Sequence, residues 1–162
     1  MTDPFGTQIN NSNIYTQVWN TFYNLIKNNI KDPKERSETW IYGSMPKTVI
    51  EYENNDGDTE IQPSYPMIII NNVELSNQEN HTIDYDTKEY IPQINIDIYS
   101  DRSDYLDSIT DDIIKTVSDN NSSFTNIGIY NVKIINDNVN YDLSRSGLKI
   151  FNRTLSFVYE VI

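Results

Sequence analysis

Three aspartates, Asp97, Asp101 and Asp104, lie where a predicted strand leads into a predicted helix. Metal-dependent nucleases have acidic residues at such junctions. One or two of these carboxylates bind Mg²⁺ together with a substrate phosphate. A nuclease also needs a lysine or histidine beside the strand acid, and neither follows Asp97 at short spacing. Asp101 and Asp104 are more simply explained as a turn residue and an acid in the first turn of a helix.

Two polar segments carry other residue types that bind metals. Residues 54–58 resemble a calcium loop, but no glutamate lies six residues after Gly57, so a hairpin turn is the better interpretation. The single histidine, His81, has Glu79 and Asp84 nearby and could join a weak site. A lone exposed histidine, however, usually binds nothing.

Other catalytic arrangements are missing from the sequence. The chain has no cysteine, which excludes a disulfide framework, a zinc ribbon and a cysteine nucleophile. No serine lies in a glycine-framed elbow, and the five glycines form no phosphate-binding loop. We therefore predict no catalytic, cofactor-binding or metal-binding residue, no cofactor and no enzymatic activity.

The charge of the chain restricts its partners. Its 24 acidic and 12 basic residues give a net charge of −12, which argues against general affinity for nucleic acid. Such a surface would let DNA pass without adhering, or it would simply keep the protein in solution. The apolar run over residues 67–70 is far shorter than the roughly 18 residues of a membrane span, and the first 13 residues lack a signal pattern. We expect a soluble chain made in a cytoplasm.

Two segments repeat apolar residues at helical spacing. The first predicts a helix over residues 14–30 that ends before Pro33. The second predicts a helix after Ser103, a suitable N-cap, with Asp104 and Asp107 near its positive end. The predicted buried stripes are Ile14, Val18, Phe22 and Leu25 in the first helix and Leu106, Ile109, Ile113 and Val117 in the second.

The segment between these helices alternates with the period of strands. Short strands are predicted over residues 40–42, 48–53 and 59–62, with the last two joined by the hairpin turn. The continuous apolar run 67–70 is typical of a buried central strand. Residues 71–89 are polar and acidic and predict an exposed loop or a mobile arm.

A clearer alternation precedes the second helix, and a hairpin follows it. Isoleucines alternate with polar residues over 94–98, which predicts a strand with one apolar face. The last forty residues predict a strand over 127–135, a twelve-residue polar tip over 136–147 and a strand over 148–162. In that last strand Phe157 lies on the predicted core face, with Arg153 in register. Three tyrosines fit either an interface or the core: Tyr130, Tyr141 and Tyr159.

The order of these elements predicts one α+β domain over residues 1–162. We expect two layers, with a mixed or antiparallel β-sheet, two main helices packed on one face and a C-terminal β-hairpin. Polar loops are expected near residues 54–64, 71–89 and 136–147.

Three segments point to a known family. Tyr65-Pro66 precedes the apolar run 67–70, residues 94–100 alternate and lead directly into the second helix, and Arg153 marks an alternating strand near the C-terminus. With the leading helix, this order resembles the tail terminator, or tail-completion (head–tail joining), proteins of long-tailed bacteriophages. The resemblance covers most of the chain.

The resemblance implies a structural virion protein of the tail or neck, assembled in the host cytoplasm. Subunits of that family form a hexameric ring that stops growth of the tail tube and joins tail to head. The implied partners are copies of the same chain, the tail tube protein, the sheath of a contractile tail and a head-side connector or stopper protein. DNA would pass through without specific binding, no membrane is involved, and the family has no catalytic residues to transfer.

Two alternatives stay open. Another phage neck, stopper, connector or baseplate module would differ in its stoichiometry or its partner. A metal-dependent nuclease would lose a metal-dependent activity when Asp97 or Asp101 is replaced by alanine.

Overall fold

A computed structural model describes residues 14–46, 50–53, 59–62, 64–82, 85–143 and 149–161. Within these residues the elements follow one another in this order: α1 (Ile14–Asn29), β1 (Ile41–Tyr42), β2 (Ile50–Glu53), β3 (Thr59–Gln62), β4 (Met67–Ile70), β5 (Glu74–Thr82), β6 (Tyr85–Ser100), α2 (Ser103–Asp119), α3 (Asn121–Thr125), β7 (Ile129–Leu143) and β8 (Lys149–Val161). The predicted α+β class is confirmed.

Six of these strands form one mixed sheet. Its order is β1-β4-β6-β8-β7, and β5 pairs with the part of β6 that extends beyond its other neighbours. Strand β1 is parallel to β4, while all other pairs in this sheet are antiparallel. Strands β2 and β3 form a separate antiparallel hairpin, as their sequence predicts.

The helices cover one face of the sheet because that face is apolar. Along β6, Ile94, Ile96 and Ile98 are fully buried, whereas the residues between them are only partly buried. Across the core, the Phe22 ring of α1 lies 5.5 Å from that of Phe157 on β8. The predicted stripe of α2 is also buried, with Leu106, Ile109, Ile113 and Val117 at most 5% exposed.

A partly buried ion pair fixes the chain where it enters β4. The Nε of Arg36 donates to Asp32 Oδ2 at 2.6 Å, and its Nη atoms donate to the carbonyls of Ser64 and Pro66 at 3.2 and 2.6 Å. The Asp32 carboxylate also accepts from the backbone N–H groups of Lys34 and Arg36. One guanidinium thus holds the segment after α1 against the start of a central strand.

Two sequence-based expectations are wrong, and of the two alternatives left open for residues 71–89 the loop is wrong. Most of that segment forms the antiparallel pair β5–β6, in register from Glu74↔Gln93 to Thr82↔Tyr85. The predicted tip over 136–147 is strand as far as Leu143, which pairs with Lys149. Ser103 is not the N-cap of α2: that position is Arg102, which makes no side-chain capping hydrogen bond.

We expect Phe157→Ala to lower the free energy of unfolding by about 3–5 kcal/mol, because it opens a cavity beneath α1. Phe157 is 2% exposed. Val161→Ala is the matched control, since Val161 lies on the same face of β8 but is 43% exposed. Urea denaturation measures both variants, and equal small losses would show that Phe157 is not in the core.

The pKa of Asp32 gives a pH-dependent test of the partly buried ion pair. Burial alone raises this pKa, but the hydrogen bonds from Arg36 and the two backbone N–H groups outweigh it and hold the pKa below 3.8. The ionised carboxylate therefore stabilises the fold above the unfolded-state pKa, and this contribution is lost as the pH falls through the folded-state value.

Asp32→Asn should consequently cost about 1–3 kcal/mol at neutral pH, and the deficit should shrink as the pH falls from about 5 to about 2. Urea denaturation across that range measures it. Asp111→Asn, on an exposed face of α2, is the control and should show no such trend. A deficit of Asp32→Asn that stays constant with pH would contradict the assignment.

Candidate assembly surfaces

The three aspartates at the strand–helix junction have separate partners. Asp97 lies on the sheet face opposite the helices, where it accepts a hydrogen bond from Asn71 Nδ2 at 2.7 Å and another from the Thr154 hydroxyl. These three side chains belong to β6, β8 and the end of β4, so Asp97 ties three neighbouring strands together.

The other two acids of this junction are engaged in ion pairs. Lys34 Nζ lies 3.3 Å from Asp101 Oδ2, and Arg102 Nε donates to Asp104 at 2.9 Å. Within the described residues, no group of three or more acidic, histidine or cysteine side chains is placed to hold a metal ion. The structure therefore does not bring Asp97, Asp101 and Asp104 together as a metal site.

Several other sequence candidates cannot be located by their side chains. Residues 54–58, the proposed calcium loop or turn, lie outside the described residues, as does Asp84. The backbone of His81 belongs to β5, paired with Asp86, but its side chain is outside the description, like that of Tyr141. The alternatives given for these residues stay predictions.

The other two tyrosines singled out in the sequence, Tyr130 and Tyr159, differ in their exposure. Tyr130, near the start of β7, is 37% exposed, whereas Tyr159 on β8 is 1% exposed. Burial, and then the proximity of Tyr15, raise the pKa of Tyr159, whose hydroxyl has no hydrogen-bond partner in the described part of the chain. Tyr159 is therefore a core residue, and Tyr130 is free to contact another molecule.

Arg153 connects the helical layer to the edge of the sheet. Its Nη2 donates to Asp107 Oδ1 of α2 at 3.0 Å, and its Nε lies 3.5 Å from Asp137 Oδ1 of β7. The Arg153 side chain is 18% exposed, so its charge is largely enclosed between the two carboxylates. The arginine singled out in the sequence thus positions β7 relative to α2.

Strand β7 forms one edge of the sheet and carries an exposed apolar surface. In the described structure its only strand neighbour is β8. Four of its apolar side chains are exposed: Tyr130 (37%), Ile134 (39%), Ile135 (50%) and Val139 (51%). Since most large apolar side chains of this chain are buried, β7 is a candidate contact surface.

The pair β5–β6 forms an arm that leaves the helix-covered core. Residues 93–100 of β6 pair with β8, but residues 85–92 pair only with β5 in the described part of the chain. Leu75, near the base of this arm, is 52% exposed. The arm adds backbone pairing far from the core, which is typical of a segment that contacts a neighbouring molecule.

A cleft of about 440 Å³ lies near the base of the arm. It is lined by Tyr15, Thr16, Trp19, Gly43, Asn72 and Val73. Trp19 stacks on Tyr23 with ring centroids 5.0 Å apart and donates to the Ile70 carbonyl at 3.0 Å. A Cβ on Gly43 would lie 3.1 Å from the Trp19 ring, so a larger residue there would press on the indole. The cleft contains no acid–base pair, and its shape suits an apolar contact.

The β7 surface lies only in part within the predicted strand 127–135, because the sequence predicts a polar tip over residues 136–147 where the second half of β7 and its exposed Val139 lie. Their alternation was nevertheless present, since Val139, Tyr141 and Leu143 are separated by single polar residues. Abundant asparagine, which is depleted in strands, concealed this pattern. For the arm over 74–89 no comparable signal existed, because few of its residues are apolar.

Comparisons with known proteins include a weak structural likeness. No protein-family model and no curated protein sequence matches the chain. A chain from the virion of a native gene transfer agent particle is similar in structure, with a TM-score of 0.40 and 10% identity, over 91% of this chain and 90% of that chain. A likeness of this size does not decide function, and membership of the tail terminator family stays a prediction.

None of the helices within the described residues is long and apolar enough to cross a membrane.

We expect Asp97→Ala to lower the free energy of unfolding by about 1–3 kcal/mol, because Asn71 and Thr154 both lose their acceptor. Asp111→Ala, on the exposed face of α2, should change it by less than about 0.5 kcal/mol. Thermal melting with and without millimolar Mg²⁺ measures both effects. Stabilisation of the parent by Mg²⁺ that disappears in Asp97→Ala would instead indicate a metal site.

Proposed function

We propose that this protein is a structural component of a phage-type virion that acts as a tail terminator. Six copies would close into a ring that caps the tail tube and joins the tail to the head. The observation that carries the proposal is the amount of strand that lies beyond the core, in the arm β5–β6 and in the edge strand β7. A protein working alone gains little from such extensions, whereas a ring subunit uses them to reach its neighbours.

Two surfaces on different parts of the chain support a closed assembly. The cleft beside Trp19 and the exposed Leu75 lie near the base of the arm, whereas the exposed apolar residues of β7 lie at the last strand of the sheet. A contact between two different patches is heterologous, and heterologous contacts generate rings when the rotation closes. The exposed apolar side chains would then be buried between subunits.

The charge distribution fits a ring through which DNA passes. The net charge is −12, and the exposed face of α2 carries Asp104, Asp107, Asp111, Asp112 and Asp119. Such a surface repels phosphates instead of binding them. Within the proposal, DNA therefore moves through the ring without a specific contact.

We also propose that the protein is not an enzyme. Asp97 accepts hydrogen bonds from Asn71 and Thr154, Asp101 Oδ2 pairs with Lys34, and Asp104 pairs with Arg102, and these contacts need no substrate. Asp101 Oδ1 is buried and has no hydrogen-bond partner in the described part of the chain. A neck, stopper or baseplate component would use similar surfaces with another stoichiometry, and the assembly experiment below separates these cases.

Native mass spectrometry and negative-stain microscopy at rising concentration should detect rings with six times the 18.9 kDa mass of the chain. Leu75→Asp should abolish them, because it places a charge on the exposed apolar base of the arm. Asn121→Asp, a charge added at the exposed start of α3, is the matched control and should leave the rings intact.

Purified tail tubes provide a second condition for this experiment, because such a ring can close only on its tube. Purified tail tubes mixed with the protein should acquire a ring at one end. A particle of another symmetry would favour a stopper or baseplate component. A chain that stays monomeric both alone and with tail tubes would overturn the terminator proposal.

A further inference from the structure

The helical layer ends over β8 and leaves part of β7 uncovered on the same face of the sheet. Opposite residues of antiparallel strands share a face, so Ile134, Asp137 and Val139 of β7 lie on the helix side with their partners Phe157, Leu155 and Arg153. The three β8 partners are at most 18% exposed. On the next strand, β7, the exposed fraction rises to 39% for Ile134 and 51% for Val139.

These helix-side residues of β7 form a row that alternates apolar, acidic and apolar side chains. The side chain of Asp137 in the middle is 45% exposed, although it lies near Arg153. The opposite face of β7 presents Lys133, Asn136 and Asn138 and has no comparable apolar row. A molecule that covers this edge therefore meets an apolar surface with one negative charge, on the helix side alone.

The backbone of this edge is regular over residues 136–143, which include Asp137 and Val139 of the row, whereas Ile134 precedes a register shift. Register shifts occur between Tyr130 and Lys133 and between Ile134 and Asn136, and they interrupt the ladder near the start of β7. From Asn136 to Leu143 the pairing with β8 runs without interruption. Bulges, prolines and lysines protect many edge strands, and residues 136–143 contain none of these three. The charges of this segment are those of Asp137 and Asp142, which disfavour an acidic partner strand.

We propose that residues 134–143 of β7 accept an additional β-strand from a different protein, one whose residues alternate apolar, basic and apolar on the face toward α2. A directly opposite residue pair across antiparallel strands has its Cβ atoms about 4.5–5.5 Å apart, within reach of a lysine or arginine to Asp137. The apolar residues of the guest strand would lie against Ile134 and Val139, and backbone hydrogen bonds would provide the affinity.

The partner is a different protein because neither long edge of the arm offers a suitable strand. Strand β5, from Glu74 to Thr82, contains no lysine or arginine. The other edge of the arm, residues 85–92 of β6, contains Lys88, but at alternate positions this lysine is preceded by the acidic Asp86 and not by an apolar residue. A second copy offering β5 would bring Glu74 or Glu79 toward an edge that already carries Asp137, and like charges facing each other are unfavourable. The inference concerns one edge of one subunit and does not require the proposed ring.

The test uses the full-length ¹⁵N-labelled protein and a capped peptide in which valine, lysine and valine alternate with threonine. Amide shifts and hydrogen exchange should show new protection confined to residues 136–143. A peptide with glutamate in place of lysine should bind about fivefold to tenfold more weakly. The preference for lysine should shrink as salt is added.

Two variants of the protein locate the contact. Val139→Lys should weaken binding of the lysine peptide about tenfold, whereas Asn138→Lys, with the same charge on the other face of the same strand, should change it by less than about twofold. Asp137→Asn should remove the preference for lysine over glutamate while leaving residual binding. Since these side chains are exposed, we expect all three variants to fold, and their melting curves verify it.

Three results would overturn the proposal. They are no protection of the β7 amides at millimolar peptide, equal binding of the lysine and glutamate peptides, and protection of β7 by self-association of the protein without peptide. Each is read from the same spectra and is independent of whether hexameric rings form. A failure of β7 to bind the peptide and a failure of the protein to form rings are therefore distinguishable.

Discussion

The alternation of side chains along β6 is the constraint on which the remaining structure depends. This strand pairs with β4, β5 and β8, so its two faces determine the two faces of the sheet. The helices pack on the face of Ile94, Ile96 and Ile98, because burying these side chains removes apolar surface from water. Asp97, between them on the other face, accepts hydrogen bonds from the neighbouring strands. A shift of one residue in register would bury the acid and expose the isoleucines.

Two arginines connect the central strands to outer parts of the fold. Arg36, paired with Asp32, fixes the chain before β4, so the buried strand enters the sheet at a defined position. Arg153 lies between Asp107 and Asp137 and links α2 to β7. Both guanidiniums use their several donors to connect segments far apart in sequence. The edge strand is consequently held in place although no helix covers it beyond its first residues.

This arrangement explains how a small acidic domain can combine a firm core with surfaces for assembly. The core under α1 and α2 includes Ile129 at the start of β7, but the exposed Ile134, Ile135 and Val139 further along this strand lie outside it. Their exposed apolar and backbone groups are then available to other molecules, and the surrounding carboxylates restrict which molecules fit. The same acids disfavour nucleic acid and favour a basic partner segment.

The sequence by itself determined the local elements with strong periodicity. Ile14 to Asn29 and the isoleucines of β6 repeat at spacings that only one secondary structure can place on a single face, and the α+β order followed from them. The strands β5 and the second half of β7 were decided by tertiary structure, because asparagine and acidic residues favour loops locally and pairing with β6 and β8 overrides that preference. The partners of Asp97 and Asp101 were likewise undetermined by spacing, since Asn71, Thr154 and Lys34 come from distant segments, whereas Asp104 pairs with its near neighbour Arg102. The row of Ile134, Asp137 and Val139 on β7 is uncovered because the layer of helices ends at β8. The periodicity of a segment does not show how far the helices extend across the sheet.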